Sequence, residues 1–307
     1  MAIDLLVHVV LLLSVPPLLL GVITRTKAWV AGRNGPPLLQ PYHDLFRLWR
    51  KGAVLSRTTT WVFRAGPIGS LAAILIAGLV LPLASPRAPL GFEGDVIAFA
   101  YLLALARFLT IAAALDTGSS FEGMGASREA AFSALAEPAL FLALAILCVP
   151  AQSPTFERAF GAQPWMATGL KLAPLIAAAV ALFMVLLAEN SRIPVDDPAT
   201  HLELTMIHEV MVLDHSGPDF AAILYGSAVK LFLFASLLVH TLFRDPGANP
   251  WIGAAILLAG VLALAILVGV IESWTARLRL PRVPQFLISA FAIAAVGLVT
   301  LVYRIGR

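Results

Sequence analysis

The stretch AENSRIPVDDPATHLELTMIHEVMVLDHSG, residues 188–217, decides how this chain is read. It lies between two long apolar runs, yet it gathers two histidines seven positions apart (His201 and His208), several carboxylates and an arginine. Charge concentrated in this way, in an otherwise oily chain, marks a structured connection between membrane spans.

The rest of the composition agrees. The 307 residues are 60% hydrophobic and only 13% charged, about half the charge of a soluble domain. Hydrocarbon as solvent makes such a balance reasonable, and it demands helices that satisfy their own backbone. The net charge of +3 is too small to argue for nucleic acid. The N-terminal MAIDLLVHVVLLLSVPPLLLGVI lacks a basic leader and carries Asp4, so it reads as a retained span bent at Pro16-Pro17 rather than a signal peptide. Cys148 is the only cysteine. One thiol cannot make an internal disulfide or hold an iron–sulfur cluster.

Crossing about 30 Å of hydrocarbon takes roughly 20 apolar residues. Eight runs qualify: 3–23, 67–84, 94–115, 129–150, 168–189, 219–243, 250–271 and 284–304. The predicted fold is all-α, one transmembrane domain over residues 1–307, with structured loops at about 24–66, 116–128 and 189–218. Thirteen of the 21 Lys and Arg fall in the loop set that includes these three, and five in the opposite set. Positive-inside bias then puts the richer set in the cytoplasm and both termini outside. Within the first loop, Tyr42, Leu45, Phe46 and Trp49 oppose Asp44, Arg47, Arg50 and Lys51, which predicts an amphipathic helix lying on lipid or docking a cytoplasmic protein.

Asp196-Asp197-Pro198 reads as a helix start, with a carboxylate N-cap and an early proline. The predicted helix runs from about Pro198 to Leu213, with Leu204, Ile207 and Met211 on its apolar side and His201, Thr205 and His208 on a polar stripe. Histidines seven apart lie two turns from one another, about 10 Å, too far to share one metal ion. Glu189 and Arg192, one turn apart at the end of the fifth span, are expected to pair. His8 and His240 could in principle ligate one haem, but two isolated histidines are a weak signal.

Ionisable groups also fall inside spans: Arg107, Glu137, Lys171 and Lys230. Each costs at least about 2.5–3.5 kcal/mol at the bilayer centre, so such groups face protein or water and mark pathways. A buried pair that only orients helices is the plain alternative; several groups on different spans favour a hydrated polar axis. In the connection before the fourth span, Ser127 is a candidate N-cap and Glu129 complements a helix start. Asp116, Glu122 and Arg128 are expected to crowd beside Glu189 and Arg192. No Gly-Lys-Ser/Thr ends this loop, so it is not a P-loop. The two halves show no internal repeat, which argues against a stand-alone transporter.

Residues 188–196, AENSRIPVD, resemble the A-E-T-N-R-x-P-F-D motif of subunit 1 of respiratory complex I. Residues 116–129, DTGSSFEGMGASRE, are closer to the formate hydrogenlyase subunit 4 branch of that family, and GRNGPPLLQPYHDLFRLWRKG, residues 32–52, resembles its segment after the first span. The resemblance implies a membrane anchor and ion-coupling subunit. It would join hydrogenase-like large and small subunits on the cytoplasmic face to antiporter-like membrane subunits in the inner membrane. No cofactor is implied in this chain; iron–sulfur clusters, and a nickel–iron centre, would belong to partners. Residues carried over by motif are Glu189, Arg192, Asp196 and Glu203 in the loop, and Arg128 and Glu137 on the fourth span. Asp116, His201 and Lys230 complete the expected proton path, with no residue expected to be catalytic. The family's three acids after the motif reduce here to Glu203, a histidine replaces one of them, and Val195 stands for Phe. A quinone-site subunit of a complex I-like dehydrogenase is the alternative.

Overall fold

Proline and polar caps set the helix starts. A computed structural model describes residues 2–161, 172–196, 206–243 and 249–305. Its helices are α1 (Ala2–Ser14), α2 (Pro16–Val30), α3 (Gln40–Trp49), α4 (Trp61–Val80), α5 (Asp95–Asp116), α6 (Ser120–Cys148), α7 (Phe156–Gly161), α8 (Leu172–Glu189), α9 (Gly217–Leu242), α10 (Pro250–Trp274) and α11 (Val283–Ile305). Helices α2, α9 and α10 carry proline in their first turn, where a missing N–H costs nothing. The side chains of Thr60 and Asn249 accept the free N–H groups of Val62 in α4 and Trp251 in α10.

Among the described residues, seven helices are long and apolar enough to cross a membrane, and the bent pair α1–α2 makes an eighth if it counts as one span. The bend is 44° and falls at Val15, beside the two prolines expected to cause it. Successive spans alternate in direction. The connections after α2, α5, α8 and α10 therefore gather at one end, termed the charged end here. There Asp116 reaches Thr60, Asp196 reaches Arg277, and Gly217 lies against Gly52.

Helices α8 and α9 form the middle of the bundle. Val229, Phe232, Leu233 and Leu237 of α9 are fully buried, as are Ala178, Ala181 and Val185 of α8. Flanking helices keep apolar residues outward, including Ile97, Tyr101 and Phe108 on α5 and Val296 and Val299 on α11. Outward apolar and inward small residues are the packing of a bundle dissolved in lipid. Gly66 shows the second feature: a Cβ there would lie 2.9 Å from Leu109 O and 2.6 Å from Ala113 Cβ, so α4 and α5 touch through it.

Two local expectations are corrected. Helix α6 begins at Ser120, with Ser119 at its N-cap, and not near Ser127. Glycine there disfavours helix intrinsically, but burial overrides it: Gly125 packs beneath Val210 and Met211, leaving no room for a side chain. The helix expected over 198–213 is not found in its second half. Residues 206–213 hold only a 3-10 turn, Glu209–Val212, while residues 198–205 lie outside the described residues. Asp196 Oδ2 accepts the backbone N–H groups of Ile207 and His208. The carboxylate fastens the two ends of the excursion together.

Candidate functional site

Arg107 is the hub of the charged end. It stands nine residues before the end of α5, about 13 Å along the helix at 1.5 Å per residue, and its guanidinium meets three carboxylates. Nε lies 3.4 Å from Glu129 Oε1, Nη1 2.5 Å from Glu137 Oε1 and Nη2 2.8 Å from Glu189 Oε1. From α9, Lys230 Nζ approaches the other oxygen of Glu189 at 2.6 Å. Glu189 is the last residue of α8, so that helix ends at the depth of Arg107, inside the bundle. Beyond it Val195 and Ile207 pack in one cluster with Ala188 of α8, and Ile193 and Met206 are buried as well.

The same network continues toward the charged end. Glu129 Oε2 lies 3.1 Å from His208 Nε2. His208 Nδ1 is 3.7 Å from Asp196 Oδ2, and Asp196 Oδ1 accepts a hydrogen bond from Arg277 Nη2 at 2.8 Å. An unbroken series of charged contacts thus runs from Arg277 through Asp196, His208, Glu129 and Arg107 to Glu189 and Lys230, with Glu137 on a branch. Burial alone would lower the His208 pKa, but Glu129 and Asp196 prevail and hold it up at about 9. Burial would raise the Asp196 pKa, yet His208 and Arg277 hold it below the usual carboxylate range. With His208 protonated, the four cations and four carboxylates of the series balance. Most members are buried; the Glu137 side chain is 39% exposed and is the opening of the series on the outer side of the bundle.

A second node lies beside the first. Glu272, in the last turn of α10, sits 2.9 Å from Lys27 Nζ and 3.5 Å from Arg192 Nη1. This corrects the expected pairing of Arg192 with Glu189. The chain reverses at Ser191 (φ 52°), and Arg192 N bonds back to Leu187 O; the side chain is carried to α10, while Glu189 turns to α5 and α9.

Among the other predicted residues, Glu137, Glu189, Asp196 and Lys230 come together in the series. Arg128 borders it, donating to Met206 O at 2.9 Å. Asp116 and Glu122 do not crowd beside Glu189: Asp116 accepts from Thr60 N, Thr60 Oγ1 and Phe63 N, and Glu122 from Asp214 N. His201, Glu203 and Lys171 lie outside the described residues. Arg107, Glu129, His208, Glu272 and Arg277 were not among the predicted site residues. Arg107 carried a usable signal, a charge within a span; the others looked like ordinary cap or loop residues. His8 and His240 lie at the far end of the bundle, where His8 Nε2 bonds Gly78 O and His240 stacks on Phe160. Among the described residues, no three His, Cys, Asp or Glu side chains are placed to hold a metal ion.

Residues 3–303 match the family described as NADH dehydrogenase. The chain belongs to the NADH dehydrogenase family. Its relatives place it in the complex I subunit 1 type, as the motifs implied. It is 30% identical over 302 residues to formate hydrogenlyase subunit 4 of Escherichia coli (strain K12), covering 96% of this chain and 97% of that one. Hydrogenase-4 component C of the same organism is 31% identical over 301 residues, covering 95% and 93%. At 25% identity over 236 residues the likeness extends to an NADH-quinone oxidoreductase subunit of Anaplasma phagocytophilum (strain HZ), covering 70% and 68%. A chain of the membrane-bound sulfane sulfur reductase, an archaeal respiratory membrane complex, shares the fold with a TM-score of 0.83 at 22% identity over 97% of this chain and 99% of that one. This member of the family is a multi-pass membrane protein whose charged series threads the bundle at the depth of Arg107.

Proposed function

We propose that this chain is the membrane anchor and ion-coupling subunit of a hydrogenase or formate hydrogenlyase-type complex in the cytoplasmic membrane. Its charged end would face the cytoplasm and bind a peripheral arm of hydrogenase-like large and small subunits. Its outer side at Glu137 would face antiporter-like membrane subunits. The observation that carries the reading is the series of side chains from Asp196 and His208 through Glu129 and Arg107 to Glu137 and Glu189. Such a series, partly at membrane depth, is costly to bury and suits a proton route.

Electron transfer belongs to the iron–sulfur clusters, and the nickel–iron centre, that partner subunits would supply; this chain's part is electrostatic. His208 sits between Glu129 and Asp196 near the charged end. A change of charge in the arm above it would alter how tightly His208 holds its proton, since the imidazole charge can change near physiological conditions. Losing that proton to the charged end leaves Glu129 with Arg107 as its main cationic partner and tightens its claim on that guanidinium. Arg107 can then shift its balance among Glu129, Glu137 and Glu189. Glu137, half-exposed on the outer side, is where a proton would pass to or from a neighbouring membrane subunit. Its exposure supports such a neighbour, because a carboxylate left against lipid is expensive.

The test is Glu137→Gln in the whole complex, reconstituted in vesicles. Hydrogen evolution or uptake should persist while proton or sodium transport falls away. Transport that still tracks hydrogenase turnover in the variant would overturn the coupling role. Activity of the purified complex with hydrogen or formate, compared with NADH and quinone, separates this reading from a quinone-site subunit.

A further inference from the structure

The connection between α2 and α4 presents a cationic and aromatic surface that the coupling role does not use. The sequence spacing predicts that α3 turns Tyr42, Leu45, Phe46 and Trp49 to one side and its charges to the other. Instead Tyr42, Asp44, Leu45 and Leu48 are partly buried, whereas His43, Phe46, Arg47, Trp49 and Arg50 are exposed. Phe46 and Trp49 are each 65% exposed, and the Arg50 guanidinium lies over the Phe46 ring, 5.3 Å from its centroid. An open recess of about 500 Å³ is lined by Gln40, His43, Phe46, Arg47 and Arg50.

The depth of this recess is fixed by what holds α3. At its start, Tyr42 donates its hydroxyl hydrogen to Ser14 O, and Leu38 O presses on Gly21, where no side chain would fit. Gly21 precedes the end of α2 by nine residues, about 13 Å. Past its end, Ser216 donates to Val54 O at the level of the loops. Helix α3 therefore climbs from within the apolar length of the bundle to its charged end, crossing the layer that lipid headgroups occupy. Trp29, Trp61 and Trp274, all highly exposed near that end, mark the same layer.

We propose that the outer face of α3 binds an anionic phospholipid, its phosphodiester held between Arg47 and Arg50 and its acyl chains laid along Phe46 and Trp49. Charge selects the occupant. Residues 24–66 contain eight Lys and Arg against a single acid, Asp44, and that carboxylate is turned inward and accepts the Gln40 amide at 2.8 Å. Arginine's planar fork matches phosphate oxygens, and the adjoining rings offer apolar surface for acyl chains. A lipid provides both in one molecule.

The experiment places a benzophenone photo-crosslinking amino acid at position 46 of the full chain in its native membrane, with mass analysis of the adducts. The expected product is a phospholipid adduct enriched in phosphatidylglycerol or cardiolipin over phosphatidylethanolamine. Arg47→Gln and Arg50→Gln should each reduce that enrichment about fivefold, while Arg33→Gln leaves it unchanged. A protein adduct, the result expected if an acidic partner subunit covers this face, would overturn the proposal. So would lipid adducts without headgroup preference, or none at all.

Discussion

Arg107 and Lys230 share one carboxylate: Glu189 takes the arginine on Oε1 at 2.8 Å and the lysine on Oε2 at 2.6 Å. The two cations come from α5 and α9, and the acid from the end of α8 between them. Three helices distant in sequence are pinned at one point in the apolar body of the bundle. The same contact that fixes the packing also sets the charge state of the site.

Removing the hub should therefore be felt as instability. Arg107→Met leaves Glu129, Glu137 and Glu189 without their common cation, and breaking a buried pair costs about 3–5 kcal/mol. Thermal unfolding of the purified complex in detergent should show a markedly lower midpoint. An unchanged midpoint would mean that water already compensates the three acids.

The His208 linkage gives a pH signature. Its folded pKa of about 9 lies above the ordinary 6.5, so its contribution is complete below about pH 6.5. That contribution is lost as pH rises through 9. Asp196 behaves oppositely: its pKa is depressed, so its contribution is present above the ordinary carboxylate range and lost on acidification. Melting temperatures measured between about pH 6 and 10 should fall for the native chain and flatten for His208→Gln. Parallel curves for the two proteins would show that His208 is not held in this way.

Gly125 tests whether the position of His208 matters apart from its chemistry. A Cβ at Gly125 would lie 2.4 Å from Val210 Cγ1 and 3.1 Å from Ile207 O, lifting the segment that carries His208. Gly125→Val should cost about 1–3 kcal/mol through overpacking and depress ion transport more than hydrogenase turnover. Equal loss of both would point to failed assembly instead.

Asp116 separates scaffold from pathway. It accepts three hydrogen bonds at the start of α4 and touches no member of the charged series. Asp116→Ala should cost about 1 kcal/mol, as other lost caps do, and leave the ratio of ions moved per turnover unaltered. A changed ratio would bring Asp116 into the route.

Composition and run length were enough to establish a membrane bundle, its seven or eight spans and the bend at Pro16-Pro17, because hydrocarbon admits few alternatives for a backbone. The motifs around residues 116–129 and 188–196 were enough to reach the family. Local rules failed where burial outweighed propensity: α6 continues through two glycines because Gly125 is needed against Val210, and residues 206–213 forgo an α-helix where Ile207 packs in one cluster with Ala188 of α8. Pairing was the least legible feature. Glu189 and Arg192 are three residues apart and should meet on a continuous helix, but α8 stops at Glu189 and the chain reverses. Which acid takes which cation was decided by Arg107, Lys230 and Glu272, each on another helix, since ion pairing depends on distance in space. Sequence determined that charge would be buried here; only the crossing of α5, α6, α8 and α9 decided how it is shared.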